Sequence, residues 1–104
     1  MISKEDIEAF EYYNRKDYIS MEMNDYQNKA ADTAIYKPEH AVIYPALGLA
    51  AEAGEVANKV KKILRDGTFN KEAIADEVGD VLWYIAALCR DLNVNMSELA
   101  YKNL

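Results

Sequence analysis

Two stretches of this sequence superimpose when one is shifted by 25 residues, and that self-similarity limits the folds open to the chain. Leu49 falls on Ile74, Glu52 on Glu77, Gly54 on Gly79, Glu55 on Asp80 and Val56 on Val81. Further on, Val60 falls on Ile85, Ile63 on Leu88, and Arg65-Asp66 on Arg90-Asp91. In both copies the apolar residues recur at three- and four-residue intervals, the period of a helix with one buried stripe. A short connection at Asp66-Gly67 makes such neighbours antiparallel. Two similar antiparallel helices then face each other about a pseudo-two-fold axis, and matched positions meet at mid-height. Two copies are too few for a solenoid.

The rest of the chain is also helical in pattern. Only two prolines and four glycines occur, and no stretch alternates as a strand would. Ser3 and Asp6 mark the start of a helix over about 4–16, with Ile7, Phe10 and Tyr13 on one side. Met23, Tyr26, Ala30 and Thr33 repeat at helical spacing over 22–34. Tyr36-Lys37-Pro38 breaks the pattern, because the residue before proline disfavours helix. A long helix is expected from about 40 to 65, closed at Gly67. Asn70 caps the next, over 71–92, and a last short helix opens at Asn95 or Met96 and reaches Leu104. The expectation is an all-α antiparallel bundle of four to five helices, in a chain long enough for one domain only.

Charge and composition exclude several functions. Acidic residues outnumber basic ones 18 to 12, for a net charge of −6, which argues against a general nucleic-acid binder. The longest apolar run, residues 41–51, contains Pro45 and is too short to span a bilayer. The opening Met-Ile-Ser-Lys-Glu-Asp lacks the apolar core of a signal peptide. A single cysteine, Cys89, forms no intrachain disulfide and suits a reducing cytoplasm; in its apolar run it reads as a small core residue.

The chemistry is concentrated in four acids. Glu52 and Glu55 are three residues apart and project from one face of a helix, as do Glu77 and Asp80. Glu52 shares its side with Leu49, Val56 and Ile63; Glu77 shares its side with Ile74, Val81 and Leu88. The acids therefore lie along the apolar stripes, where unpaired carboxylates cost several kcal/mol each and repel one another. Basic residues within the stripes are too few to neutralise them. A divalent cation resolves the conflict, and all-oxygen ligands favour Mg²⁺, with Mn²⁺ as the alternative. His40, the only histidine, lies far from the acids in sequence, so a di-iron bundle with its Glu-x-x-His pairs does not fit. Gly54 and Gly79 each cost about 1 kcal/mol of helix propensity, a cost that close helix approach or room for a ligand would justify. Under the competing reading the acids are ordinary surface charges, since Glu-x-x-Glu is common on helices.

These residues resemble the signature of the MazG-like all-α nucleoside triphosphate pyrophosphohydrolases: E-x-x-E, a variable spacer, then E-x-x-D. Here it reads Glu52-Ala-Gly-Glu55, 21 residues, then Glu77-Val-Gly-Asp80. Leu47 to Val56, Lys59 to Lys62, Glu77 to Tyr84, Asp25-Tyr26-Gln27 and Leu99 to Leu104 are similar too. The likeness covers residues 22–104 and leaves 1–21 as an N-terminal extension, itself helical. It implies Mg²⁺ held by Glu52, Glu55, Glu77 and Asp80. It also implies cleavage between the α- and β-phosphates, and assembly into dimers or tetramers with sites at subunit contacts. Family members commonly continue past the equivalent of Asn103 with a basic tail that helps hold phosphates.

Roles for other residues follow as expectations. Glu55 accepts the proton of the attacking water. Lys59, one turn beyond it, Lys62 and Asn103 bind phosphate; both lysines equally suit a solvated helix face. Gln27, Trp83 and Tyr84 are candidate base contacts, although Gln27 also suits the surface and Trp83 a helix core or an interface. Narrower rivals are a dCTP or dUTP pyrophosphatase and a phosphoribosyl-ATP pyrophosphatase. The rival from another class is a catalytically silent helical interaction module with a structural Mg²⁺ site.

Overall fold

The computed structural model describes residues 3–5 and 21–104. Helix α1 spans Met23–Thr33, a 3₁₀ turn Pro38–His40, α2 Ile43–Asp66, α3 Lys71–Asp91 and α4 Met96–Asn103. The fold is all-α, with no strand among the described residues. Residues 6–16 of the helix expected over 4–16 lie outside them. No helix among the described residues is long and apolar enough to cross a membrane.

Helix ends follow from local chemistry. Gly67 closes α2 in the left-handed region at φ 75°, and its N–H donates to the Ile63 carbonyl at 2.9 Å. Three residues later the Asn70 side chain accepts from the Ala73 N–H at 3.0 Å and starts α3. So short a link folds α3 back against α2. The other end of α3 is closed by Asn93 at φ 58°. There the Asn93 N–H donates to Arg90 O at 3.0 Å and the Val94 N–H to Cys89 O at 2.9 Å, the paired bonds of a Schellman motif.

The long helix starts at Ile43, not at about 40 as the sequence suggested. Val42 stops it: at φ 69°, ψ −53°, with the Ile43 N–H bonded to Ala41 O at 2.8 Å, it forms a γ-turn of the strained kind. The Asp91 carboxylate holds that turn. It accepts from the Val42 N–H at 2.9 Å and from the Tyr36 hydroxyl at 2.7 Å. Arg90 donates to Asp91 Oδ1 at 3.1 Å and to the Tyr36 hydroxyl at 2.8 Å. Burial pushes the Asp91 carboxyl up, but the Val42 N–H, the Tyr36 hydroxyl and the Arg90 guanidinium outweigh it and hold it below the ordinary carboxylate range.

The apolar core lies between α1, α3 and α4. Ala30, Ala86, Cys89 and Met96 are buried there, with Tyr26, Trp83 and Ile85 packed around them. Cys89 is a core residue, and burial pushes its thiol up. Gln27, also buried, ties α1 to the α3–α4 turn: its Nε2 donates to Val94 O at 2.8 Å and its Oε1 accepts from the Met96 N–H at 2.8 Å.

Candidate metal centre

The centre sits between α2 and α3. Glu52 on α2 and Glu77 and Asp80 on α3 each bring one carboxylate oxygen to within 4.8 Å of the other two. Glu52 and Glu77 are half-buried and Asp80 is exposed. Burial, a hydrogen bond with Glu77 and the charges of Asp80, Glu77 and Glu55 raise the Glu52 carboxyl above its ordinary value. The ion pairs among the described residues are Lys37–Glu39, Arg65–Asp66, Arg90–Asp91 and Lys102–Glu98, and none reaches the three acids. Three convergent carboxylates with no ion pair to a described residue form a donor set suited to a hard divalent ion.

Glu55 stands apart from this trio. It is exposed, and its hydrogen bond is a long one, 3.4 Å from the Asn58 side-chain amide. Glu55 is about 60° round the helix from Glu52, on the flank of the same face. Lys59 and Lys62 follow on α2, both half-buried and neither ion-paired with a described residue. Asn103 is exposed at the end of α4, a helix that packs chiefly on α1.

The expected base contacts are placed in three different ways. Gln27 has both ends of its amide engaged by backbone groups, which makes it a structural tie. Trp83 packs against the core, and its indole N–H donates to Thr33 Oγ1 at 2.8 Å. One side of its ring faces a groove of about 580 Å³ lined by Met23, Tyr26, Leu82 and Met96 among others. Tyr26 was not foreseen as a site residue. Its phenol is pushed up by burial and then by the charge of Asp80.

Tyr84 lies against Gly48. A β-carbon on Gly48 would overlap the Tyr84 ring. Of the two reasons the sequence offers for Gly54 and Gly79, close helix approach does not apply, since a β-carbon at either would meet nothing within 4 Å, and the space there leaves room for a ligand. Both are exposed, so the tight contact between α2 and α3 falls one turn from the acids instead of among them. Burial, hydrogen bonding to Tyr44 and the charges of Tyr44, Glu52 and Asp80 push the Tyr84 phenol up.

Comparison with known proteins shows a family for the chain. The family model of the MazG nucleotide pyrophosphohydrolase domain matches residues 44–104, which hold all four signature acids. The chain is also similar to the Gene 37 protein of Mycobacterium phage L5, with 43% identity over 95 residues, covering 81% of this chain and 83% of that protein. No solved structure matches the chain significantly.

Proposed function

Because the chain belongs to the MazG nucleotide pyrophosphohydrolase family, we propose that it hydrolyses (deoxy)nucleoside triphosphates to the monophosphate and pyrophosphate with Mg²⁺. The observation that carries this reading is the convergence of Glu52, Glu77 and Asp80 within 4.8 Å with no ion-pair partner among the described residues. Such a set suits Mg²⁺, with Mn²⁺ as a substitute. When bound, the ion neutralises polyphosphate charge and acidifies water.

The protein's own residues supply the rest. Glu52, Glu77 and Asp80 hold the ion. Glu55, on the rim and outside the trio, completes the acidic set and takes the proton of the attacking water at its carboxylate. The water oxygen bonds to the α-phosphorus, the bond from that phosphorus to the bridging oxygen breaks, and pyrophosphate leaves. Lys59 and Lys62 balance the charge of the phosphates, with Asn103 as a further phosphate contact. The groove at Tyr26 and Trp83 takes the base.

A mixture of common ribo- and deoxyribonucleoside triphosphates, assayed with and without Mg²⁺, tests the reading. Pyrophosphate and monophosphate in equal amounts, only with Mg²⁺, are expected. Separate nucleotides then distinguish a broad enzyme from one confined to dCTP, dUTP or phosphoribosyl-ATP. No pyrophosphate from any of them would favour the silent interaction module.

Self-association in the cytoplasm belongs to the same proposal. Ile43, Leu47, Phe69 and Val78 are 64%, 68%, 67% and 51% exposed. Phe69, Ile74, Val78 and Leu82 line one apolar groove along α3. Patches of this kind mark interaction sites, and a second copy of this chain covers them in a homodimer or homotetramer. Sedimentation equilibrium at micromolar concentration is expected to return two or four chain masses; a single mass refutes the assembly.

A further inference from the structure

We propose that Gly48 and Tyr84 form a spacer between α2 and α3 that sets the separation of the acids, with Tyr84 as a positioning residue for the metal centre. The proposal rests on the reading of Glu52, Glu77 and Asp80 as that centre. Gly48 precedes Glu52 by four residues and Tyr84 follows Asp80 by four. Each therefore lies one turn, about 6 Å, from an acid on the same helix face. Because α2 and α3 run antiparallel, the two positions come to the same level.

The ring of Tyr84 fills the space that a side chain at position 48 would need. Its neighbours brace it. Trp83 meets it edge-on, with ring centroids 5.0 Å apart and planes at 86°. Tyr44 lies 6.3 Å away and stacks at 4.8 Å on Tyr36. Tyr36 is held in turn by Asp91 and Arg90, the same groups that fix the start of α2. A braced ring cannot yield to a new β-carbon without moving one helix against the other. That movement displaces Glu52, on α2, relative to Glu77 and Asp80, on α3. Mg²⁺ and similar ions require ligands close to ideal positions, so a small displacement costs affinity. Tyr84 acts through the acids and needs no contact with substrate.

The test is Mn²⁺ binding to the full chain, followed by electron paramagnetic resonance without nucleotide, with circular dichroism to confirm folding. Gly48→Ala and Tyr84→Leu are each expected to weaken Mn²⁺ binding about tenfold or more, in the range seen when supporting groups around metal ligands are lost. Tyr84→Phe keeps the ring and is expected to bind within about twofold of the parent, since only the hydroxyl is lost. Parent-like binding by folded Gly48→Ala overturns the proposal. So does equal loss in Tyr84→Phe and Tyr84→Leu, which would make the hydroxyl, not the ring, the active element. Should Gly48→Ala fail to fold, the two Tyr84 variants decide alone: parent-like Tyr84→Leu refutes the spacer. Failure of the parent itself to bind Mn²⁺ would overturn the metal centre along with the spacer. A parent that binds with unaffected variants removes the spacer only.

Discussion

Glu77→Gln is expected to lower Mg²⁺-dependent pyrophosphate release at least about 100-fold while raising the melting temperature of the metal-free protein. Both effects come from one charge. Glu77 is half-buried, and its carboxylate lies within 4.8 Å of Glu52 and Asp80. Burial and then the like charges around Glu52 raise its carboxyl above the ordinary value, so the empty cluster is repulsive. An amide at 77 removes one charge from that repulsion and one anionic ligand from the cation. Glu55→Gln separates the roles. Since Glu55 lies outside the trio, its variant should bind Mn²⁺ nearly as the parent does yet lose about 100-fold or more in turnover, as for a general base. Calorimetric Mn²⁺ titration and a pyrophosphate assay measure the two quantities independently. Parent-like turnover in Glu55→Gln removes it from the mechanism; parent-like Mn²⁺ binding in Glu77→Gln dissolves the metal centre.

Asp91→Ala is expected to cost about 2 kcal/mol, seen as a melting temperature lower by roughly 10 °C. The Asp91 side chain is only 5% exposed. Its loss strands the Val42 N–H, the Tyr36 hydroxyl and one partner of Arg90 together. The same carboxylate makes stability depend on pH. Its folded pKa lies below the unfolded value, so its contribution is complete above the unfolded value of about 4 and is lost as pH falls through the folded one. Asp91→Asn should therefore flatten the acid limb of a melting-temperature profile below about pH 4. An unchanged limb would assign acid sensitivity to other carboxylates.

Much of this architecture is written in residue spacing. The 25-residue shift locates both long helices and brings the matched acids Glu52 and Glu77 together, because helical period alone sets which residues share a face. Two things break the symmetry that the repeat implies. Helix α1 packs on α3, and Glu55 stays at the rim although its counterpart Asp80 enters the trio. Partner choice between helices depends on contacts distant in sequence, and Gln27 shows how distant: its amide meets Val94 and Met96, 67 and 69 residues away. The two Arg-Asp pairs diverge for the same reason. Asp66 is an exposed end of its turn, accepting from the Thr68 N–H at 3.0 Å, whereas Asp91 meets the Tyr36–Val42 segment. Gly48 left no comparable signal: its counterpart in the repeat is Ala73 and that of Tyr84 is Lys59, so neither the glycine nor the ring is repeated. The glycines that the repeat does match, Gly54 and Gly79, face open space.

Cys89 is nine residues from Asp80, half a circumference away at 100° per residue. One face of α3 is therefore committed to Ala30, Ala86, Cys89 and Met96, and the other carries the acids. A change of charge on the acid-bearing face therefore leaves the packing of Ala86 and Cys89 untouched, and the two faces tolerate substitution independently.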